Sequence, residues 1–235
     1  MTILAYRAED IIFPRRLSAW KRAMDVIGAA AGILLSLPMC AVVALYIACV
    51  SPGPVFYKSK RVGYNGKLFT MWKFRTMTCG DVSAHRSRMK ALICGDRRDA
   101  AMTKLDDDPR LIALAGFLRK TCIDEVPQFI NVLRGEMSLV GPRPALPYEE
   151  AEFSAWHYAR ENVVPGMTGL WQVSGKNRLS FREMVALDIR YSREMSLWLD
   201  VRILLLTLPA ILRQLLDHIE AKRSKRGTPI RLSEQ

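Results

Sequence analysis

Acidic residues are scarce in this chain: 23 Asp and Glu stand against 35 Lys and Arg, a formal charge of +12. Such a deficit points to a polyanionic partner, whether nucleic acid, anionic lipid or a phosphorylated substrate, and charge alone does not choose among them. Cysteine occurs five times, at Cys40, Cys49, Cys79, Cys94 and Cys122, but never as a CxxC pair. An odd, scattered set supports neither a zinc site nor a disulfide framework and fits a reduced, cytoplasm-facing chain. The three histidines, His85, His157 and His218, form no HExxH and have no evident nucleophile beside them, so they read as plain surface or core residues. Internal repeats and low-complexity linkers are lacking too. With 235 residues, half of them hydrophobic, the chain can build one or two ordinary domains around a core.

Charge is missing altogether from residues 26–50. A run of that length passes the roughly 18 to 20 residues that a bilayer crossing needs, and it is too long and begins too late for a cleaved signal peptide. Both flanks are basic, with Arg7, Arg15, Arg16, Lys21 and Arg22 before it and Lys58, Lys60, Arg61, Lys67, Lys73 and Arg75 after it. A single span carries its basic excess on one side, so two basic flanks predict that both ends stay on the cytoplasmic face. Pro38 sits mid-run, where proline removes a helix hydrogen bond and kinks or breaks the helix. Each leg of about 12 residues rises about 18 Å, enough to reach the middle of a ~30 Å hydrocarbon core and return. The expectation is a re-entrant helix hairpin broken at Pro38, with a kinked transmembrane helix as the alternative. A second apolar stretch, residues 203–212, is too short to span; with the basic segment after it, it reads as an interfacial or a core helix followed by a tail.

Between these stretches, "VFYKSKRV" and "KLFTMWKF" flank an Asn65-Gly66 turn and predict a β-hairpin. Residues 81–105 are helix-permissive, residues 106–110 form a turn, and a Gly-rich loop over residues 163–180 precedes a helical pattern. In "LRKTCIDEVPQFINVLRG", Pro127 marks the first turn of a helix that Gly135 closes, which puts Asp124 at or near the N-cap and Glu125 in the first turn. The helix dipole there favours ionised carboxylates, and such a pair alone is most often only a cap. A phosphorylated substrate at that end would need positive charge. A divalent cation on the carboxylates, or Arg119, Lys120, Arg143, Lys73 and Arg75, would supply it. Carboxylates, a metal and several cations fit phosphoryl transfer, in which a carboxylate can also serve as nucleophile.

The stretches "SPGPVFYKSKRVGYNGKLFTMWKFRTM", "DDPR", "FLRKTCIDEVPQFINVLRGEMSLVGPRP", "VVPGMTGLWQVSGK" and "SLWLDVRILLLT" resemble, in order, the bacterial sugar transferase family of monotopic polyprenol-phosphate phosphoglycosyltransferases. The resemblance implies an α+β monotopic membrane protein: an N-terminal basic segment and re-entrant helix hairpin over residues 1–50, the hairpin itself on residues 26–50 and broken at Pro38, a small β-hairpin within a mainly helical cytoplasmic catalytic domain over residues 51–216 with interfacial helices, and a basic tail over residues 217–235. It further implies transfer of a hexose 1-phosphate from a UDP-sugar, UDP-galactose or UDP-glucose being favoured, to undecaprenyl phosphate at the cytoplasmic face of the inner membrane, as the first membrane step of exopolysaccharide synthesis. By the same resemblance Asp124 is the nucleophile that receives the phosphosugar, Glu125 and Mg²⁺ or Mn²⁺ assist it with both carboxylates as metal ligands, and Lys73, Arg119 and Arg143 bind phosphate. The partners implied are the UDP-sugar, undecaprenyl phosphate and membrane lipid, not nucleic acid, with a homodimer left open. Longer relatives carry a four-helix membrane domain in front, so the chain resembles the short, catalytic-core form.

Four departures from the family pattern stand out: Leu37 where Ser usually precedes the proline, Cys122 for Ser, Lys176 for Arg, and the unusually apolar "LIALAG". Two other readings compete. A DxD-type glycosyltransferase would place a metal on Asp106 and Asp108, but it expects a long parallel-sheet nucleotide domain that the first hundred residues do not offer. A membrane-anchored polyanion binder explains the charge and leaves the Asp-Glu pair without a purpose.

Overall fold

The computed structural model describes residues 17–78, 83–94, 110–175 and 179–227. Arg7, Arg15, Arg16, Cys79, Asp106, Asp108 and Lys176 lie outside the described residues. The fold is α+β and mostly helical. It opens with α1 (Ala19–Val50), followed by the strands β1 (Phe56–Val62) and β2 (Leu68–Phe74).

Among the described residues, α1 is the one helix long and apolar enough to cross a membrane. It stays helical through Pro38, so the proline acts inside one helix and not in a gap between two. Proline removes a single main-chain bond, and the helical turns on either side carry that loss. Ser36 Oγ donates back to Gly32 O at 2.6 Å, a bond of the kind that bends helices. Both halves lie against the same body: Lys21, Asp25 and Ala29 are buried in the first, Val43 and Ile47 in the second. Between them Leu34 and Leu35 are 72% and 82% exposed, an apolar surface that water does not favour.

The hairpin forms as expected, with Phe56 opposite Phe74 and Val62 opposite Leu68. Its tip uses Asn65 and Gly66 in left-handed conformation, φ 53° and 70°, which is what an Asn-Gly turn provides. Helices α2 (Ser83–Cys94), α3 (Ala115–Lys120) and α4 (Phe129–Arg134) follow, and Gly135 closes α4 at φ 78°. Next come β3 (Ser138–Val140), α5 (Pro147–Glu150), β4 (Gly166–Thr168), α6 (Leu170–Val173), α7 (Phe181–Glu194) and α8 (Leu197–Gly227). Ser180 caps α7 by accepting from Glu183 N, while the Glu183 carboxylate accepts from Ser180 N, a reciprocal box. The apolar stretch at residues 203–212 is one part of α8, which continues through Pro209 and past position 217. His157 has the structural role expected of it: Nδ1 accepts from Ser154 N at 3.0 Å, and burial lowers its pKa to about 4, so it stays neutral.

The expected Gly-rich loop is partly a strand. β4 pairs in parallel with β3, Ser138 opposite Gly166 and Val140 opposite Thr168. Gly141 N donates to Thr168 O and Gly166 N to Pro142 O, both at 2.8 Å. The backbones approach too closely for side chains. A Cβ on Gly166 would lie 2.0 Å from Gly141 N, and one on Gly169 would lie 2.3 Å from Gly141 O. Gly166→Ala is therefore expected to cost about 3 kcal/mol, measured as a lower melting temperature in detergent.

A fully buried polar knot ties α1 to the rest. Lys21 Nζ donates to Asp200 Oδ2 at 2.5 Å and to Val140 O at 2.8 Å. Tyr191 OH lies 2.7 Å from Asp200 Oδ1. Asp25 Oδ1 accepts from Ser138 Oγ and Leu139 N at 2.8 and 2.9 Å. Burial raises the pKa of Asp200, and Lys21 is the chief opposing influence.

Candidate active site

The Asp-Glu pair stands in a 3₁₀ turn, Ile123–Gln128, that runs directly into α4. Its cap is Cys122 and not Asp124. Cys122 adopts φ 57°, a left-handed conformation that a side chain other than glycine, Asn or Asp seldom takes and that is typically found next to functional groups. Asp124 and Glu125 both lie in the first turn, at its positive end. Their environments differ. Asp124 is 4% exposed, whereas the Glu125 side chain is 25% exposed and accepts from Lys73 Nζ at 2.8 Å. Strand β2 supplies Lys73, so the hairpin sets a cation against the dyad.

The other expected cations are distributed. Arg119 and Lys120 form the last turn of α3, where positive charge suits the helix dipole, just ahead of the Thr121-Cys122 link to the dyad. Arg119 Nη1 lies 3.9 Å from Met77 Sδ. Arg75 is committed to structure: its guanidinium donates to Ser51 O and Pro52 O, both at 2.6 Å, and locks the turn after α1. Arg143 is engaged by Glu149 in a two-pronged ion pair of 2.9 and 3.1 Å, near the hairpin tip and not on the dyad. Burial opposes the charge on Glu149, but Arg143 beside it prevails and holds its pKa at about 2.

Among the described residues no group of three or more His, Cys, Asp or Glu converges on one point, so a cage built wholly from protein is not formed there. Two adjacent carboxylates in one turn fit the alternative, a hard divalent cation completed by substrate phosphates.

A match to the family described as bacterial sugar transferase covers residues 16–214, from α1 through most of α8. The chain belongs to this family. Its relatives include the exopolysaccharide production protein ExoY of Rhizobium meliloti, 40% identical over 195 residues, 81% of this chain and 84% of that protein. The galactosyl transferase CpsE of Streptococcus agalactiae is 42% identical over 196 residues, 82% of this chain and 42% of that one. The undecaprenyl-phosphate galactose phosphotransferase of Salmonella typhimurium is 35% identical over 216 residues, 90% of this chain and 44% of that one. The chain thus spans less than half the length of the latter two relatives and most of the first.

Several charged residues that organise this member of the family were not singled out from sequence: Glu149, Arg160, Asp188, Asp25 and Asp200. Arg160 Nη2 donates to Asp188 Oδ2 at 2.5 Å and to Arg143 O at 2.7 Å. Asp188 is a carboxyl that burial, opposed by Arg160, pushes up to about 6. The only sequence signal was positional, since Asp25 and Asp200 border the two apolar runs, where an acidic residue must find a partner or stay in water.

Proposed function

We propose that this chain transfers a sugar 1-phosphate from a UDP-sugar, with UDP-galactose or UDP-glucose favoured, to undecaprenyl phosphate, by way of a phosphosugar carried on Asp124. The observation that carries this reading is the buried Asp124 beside Glu125 and Lys73, within the segment matched to the family. In the first half, an Asp124 carboxylate oxygen attacks the sugar-bearing phosphorus, the bond to the bridging oxygen breaks, and UMP leaves with that electron pair. In the second, a phosphate oxygen of the lipid attacks the same phosphorus, the aspartyl bond breaks, and the carboxylate is regenerated with the sugar on a lipid diphosphate. Splitting one displacement in two lets a single buried carboxylate serve donor and acceptor in turn. Glu125, held by Lys73, keeps an oriented charge beside the reacting group. Asp124 and Glu125 would hold Mg²⁺ or Mn²⁺, whose charge would offset that of the diphosphate.

The acceptor is a lipid, and the exposed apolar face of α1 supports a reading in which the body sits at the cytoplasmic surface of the inner membrane. The decisive measurement is UMP release from a panel of UDP-sugars with and without undecaprenyl phosphate. Sustained release is expected only with the lipid, to be lost in excess chelator and restored by Mg²⁺. Sustained release without lipid, or no release from any UDP-sugar, would refute the reaction. Full activity in chelator would remove the metal from it.

A further inference from the structure

We infer that two glycine notches on α1 set the depth at which the Asp124 turn sits in the bilayer, which makes Gly32 a positioning residue for delivery of the lipid acceptor. This rests on the proposed reaction and ties its second half to a contact outside the dyad. The Phe129 ring meets Gly32 tip-first: a Cβ at that glycine would lie 2.6 Å from Cζ and 2.8 and 2.9 Å from the two Cε atoms. One turn earlier, a Cβ on Gly28 would lie 2.5 Å from Leu139 Cδ1. Carbon atoms pack at about 3.5–4.0 Å, so each notch admits its side chain only because glycine stands there.

Phe129 is tied directly to the dyad. It is the first residue of α4 and caps the 3₁₀ turn that carries Asp124 and Glu125, its N–H donating to carbonyls within that turn. The other end of α4 is held as well, because the Arg22 guanidinium donates to Val132 O and Leu133 O, both at 2.6 Å. α4 is thereby clamped to α1 twice, by a ring in a notch and by a guanidinium on its late carbonyls. Sliding it along α1 by one turn would drive the Phe129 ring into the notch that Leu139 fills, or against Ser36, so the close-packed contact has a single register.

That register straddles the boundary of the uncharged run. Gly32 lies six residues beyond Val26, where the run begins, or about 9 Å at ~1.5 Å per residue, while Arg22 lies four residues before it, about 6 Å on the other side. The end of α4 that follows the dyad therefore lies at the level of the upper acyl chains, and its other end faces water. Ile130 and Leu133 on α4 are each 37% exposed, apolar surface suited to that boundary. A side chain at Gly32 would push the ring, and α4 with it, off α1. A UDP-sugar arrives through water and can follow the displaced turn, but a lipid phosphate is confined to a plane, and a misplacement of about 1 Å can cost about 10²-fold in rate. Lifting the turn penalises the lipid half of the reaction and spares the donor half.

Gly32→Leu tests this without turnover. In vesicles of phosphatidylethanolamine and phosphatidylglycerol, photolabelling by a diazirine-bearing polyprenyl phosphate is expected to fall about tenfold, while UMP affinity by calorimetry stays within about twofold of the unaltered protein. Adding Phe129→Ala, which exchanges the bulky and the small partner across the contact, is expected to restore most of the labelling. In turnover, the phosphosugar adduct is expected to form at the unaltered rate and to discharge about tenfold more slowly to undecaprenyl phosphate, with no difference toward a short-chain polyprenyl phosphate dispersed in water. If Gly32→Leu does not fold, Gly32→Ala, a smaller intrusion, takes its place. Equal labelling of variant and unaltered protein, a parallel loss of UMP affinity, or no recovery with Phe129→Ala would each overturn the positioning role, the second by revealing general structural damage. UMP release by the unaltered protein is scored separately: its absence sinks the reaction and leaves the labelling test standing.

Discussion

Asp124→Asn is expected to lower sugar-phosphate transfer by about 10⁴-fold or more, with the protein still folded and still bound to membrane. The substitution keeps the shape of a side chain that is 4% exposed and changes only its chemistry. An amide has no anionic oxygen to form the bond to phosphorus, so the first displacement stops before UMP can leave. Intact-mass measurement after incubation with donor alone should show one phosphosugar on the unaltered protein and none on Asp124→Asn. Glu125→Gln separates the two carboxylates. It loosens the grip of Lys73 and is expected to slow turnover while still allowing the adduct to form. An adduct on Asp124→Asn of the same mass would show that the nucleophile lies elsewhere.

Lys21→Met is expected to be the costliest single change to stability, about 3–5 kcal/mol, because it strands a buried carboxylate without its counter-ion. Lys21 is 1% exposed and Asp200 and Asp25 are both fully buried. Methionine matches the aliphatic stem, so the loss is one of charge and hydrogen bonds more than of volume. The pH dependence identifies the cause. Burial already raises the Asp200 carboxyl above its ordinary range, and Lys21 resists that rise. Without Lys21, folded Asp200 binds a proton at pH values where an unfolded Asp, near 3.9, has lost it. The folded state then holds more protons than the unfolded one, so stability falls as pH rises. The melting temperature of Lys21→Met should drop, as pH rises above the ordinary Asp range, more than that of the unaltered protein, and the double change with Asp200→Asn should recover part of the loss. Identical pH profiles would assign the damage to packing alone.

What the sequence could and could not convey follows from range. Local signals were legible: Asn65-Gly66 set the hairpin, Gly135 ended α4, and the helical pattern after the Gly-rich loop marked α7. Each acts over a few residues through backbone conformation or a cap. Pro38 was read as a break because its effect on one hydrogen bond is local, but burial on both sides of it is not, and the helix continues. The dyad was legible as a pair at a helix start. Its true cap, Cys122, was not, because nothing in a cysteine announces a left-handed backbone. The knot joining Lys21 to Asp200 spans 179 positions, and the bond from Arg160 to Asp188 spans 28. Charges that neutralise one another across such separations look in sequence like ordinary surface residues. Arg143 shows the same limit: its partner Glu149 is only six residues away, yet whether a nearby carboxylate pairs with it or faces solvent depends on how α5 turns.

The contact between β3 and β4 bears on how members of this family are recognised. Gly141, Gly166 and Gly169 are dictated by backbone lying on backbone. A descendant that lost its nucleophile but kept its shape would be under the same steric pressure at all three positions. The glycines of the Gly-Pro-Arg-Pro and Pro-Gly-Met-Thr-Gly stretches are thus signatures of architecture, and a chain could display all three and be inert. On the proposed mechanism, telling working enzymes from silent copies would depend on position 124 and its immediate surroundings.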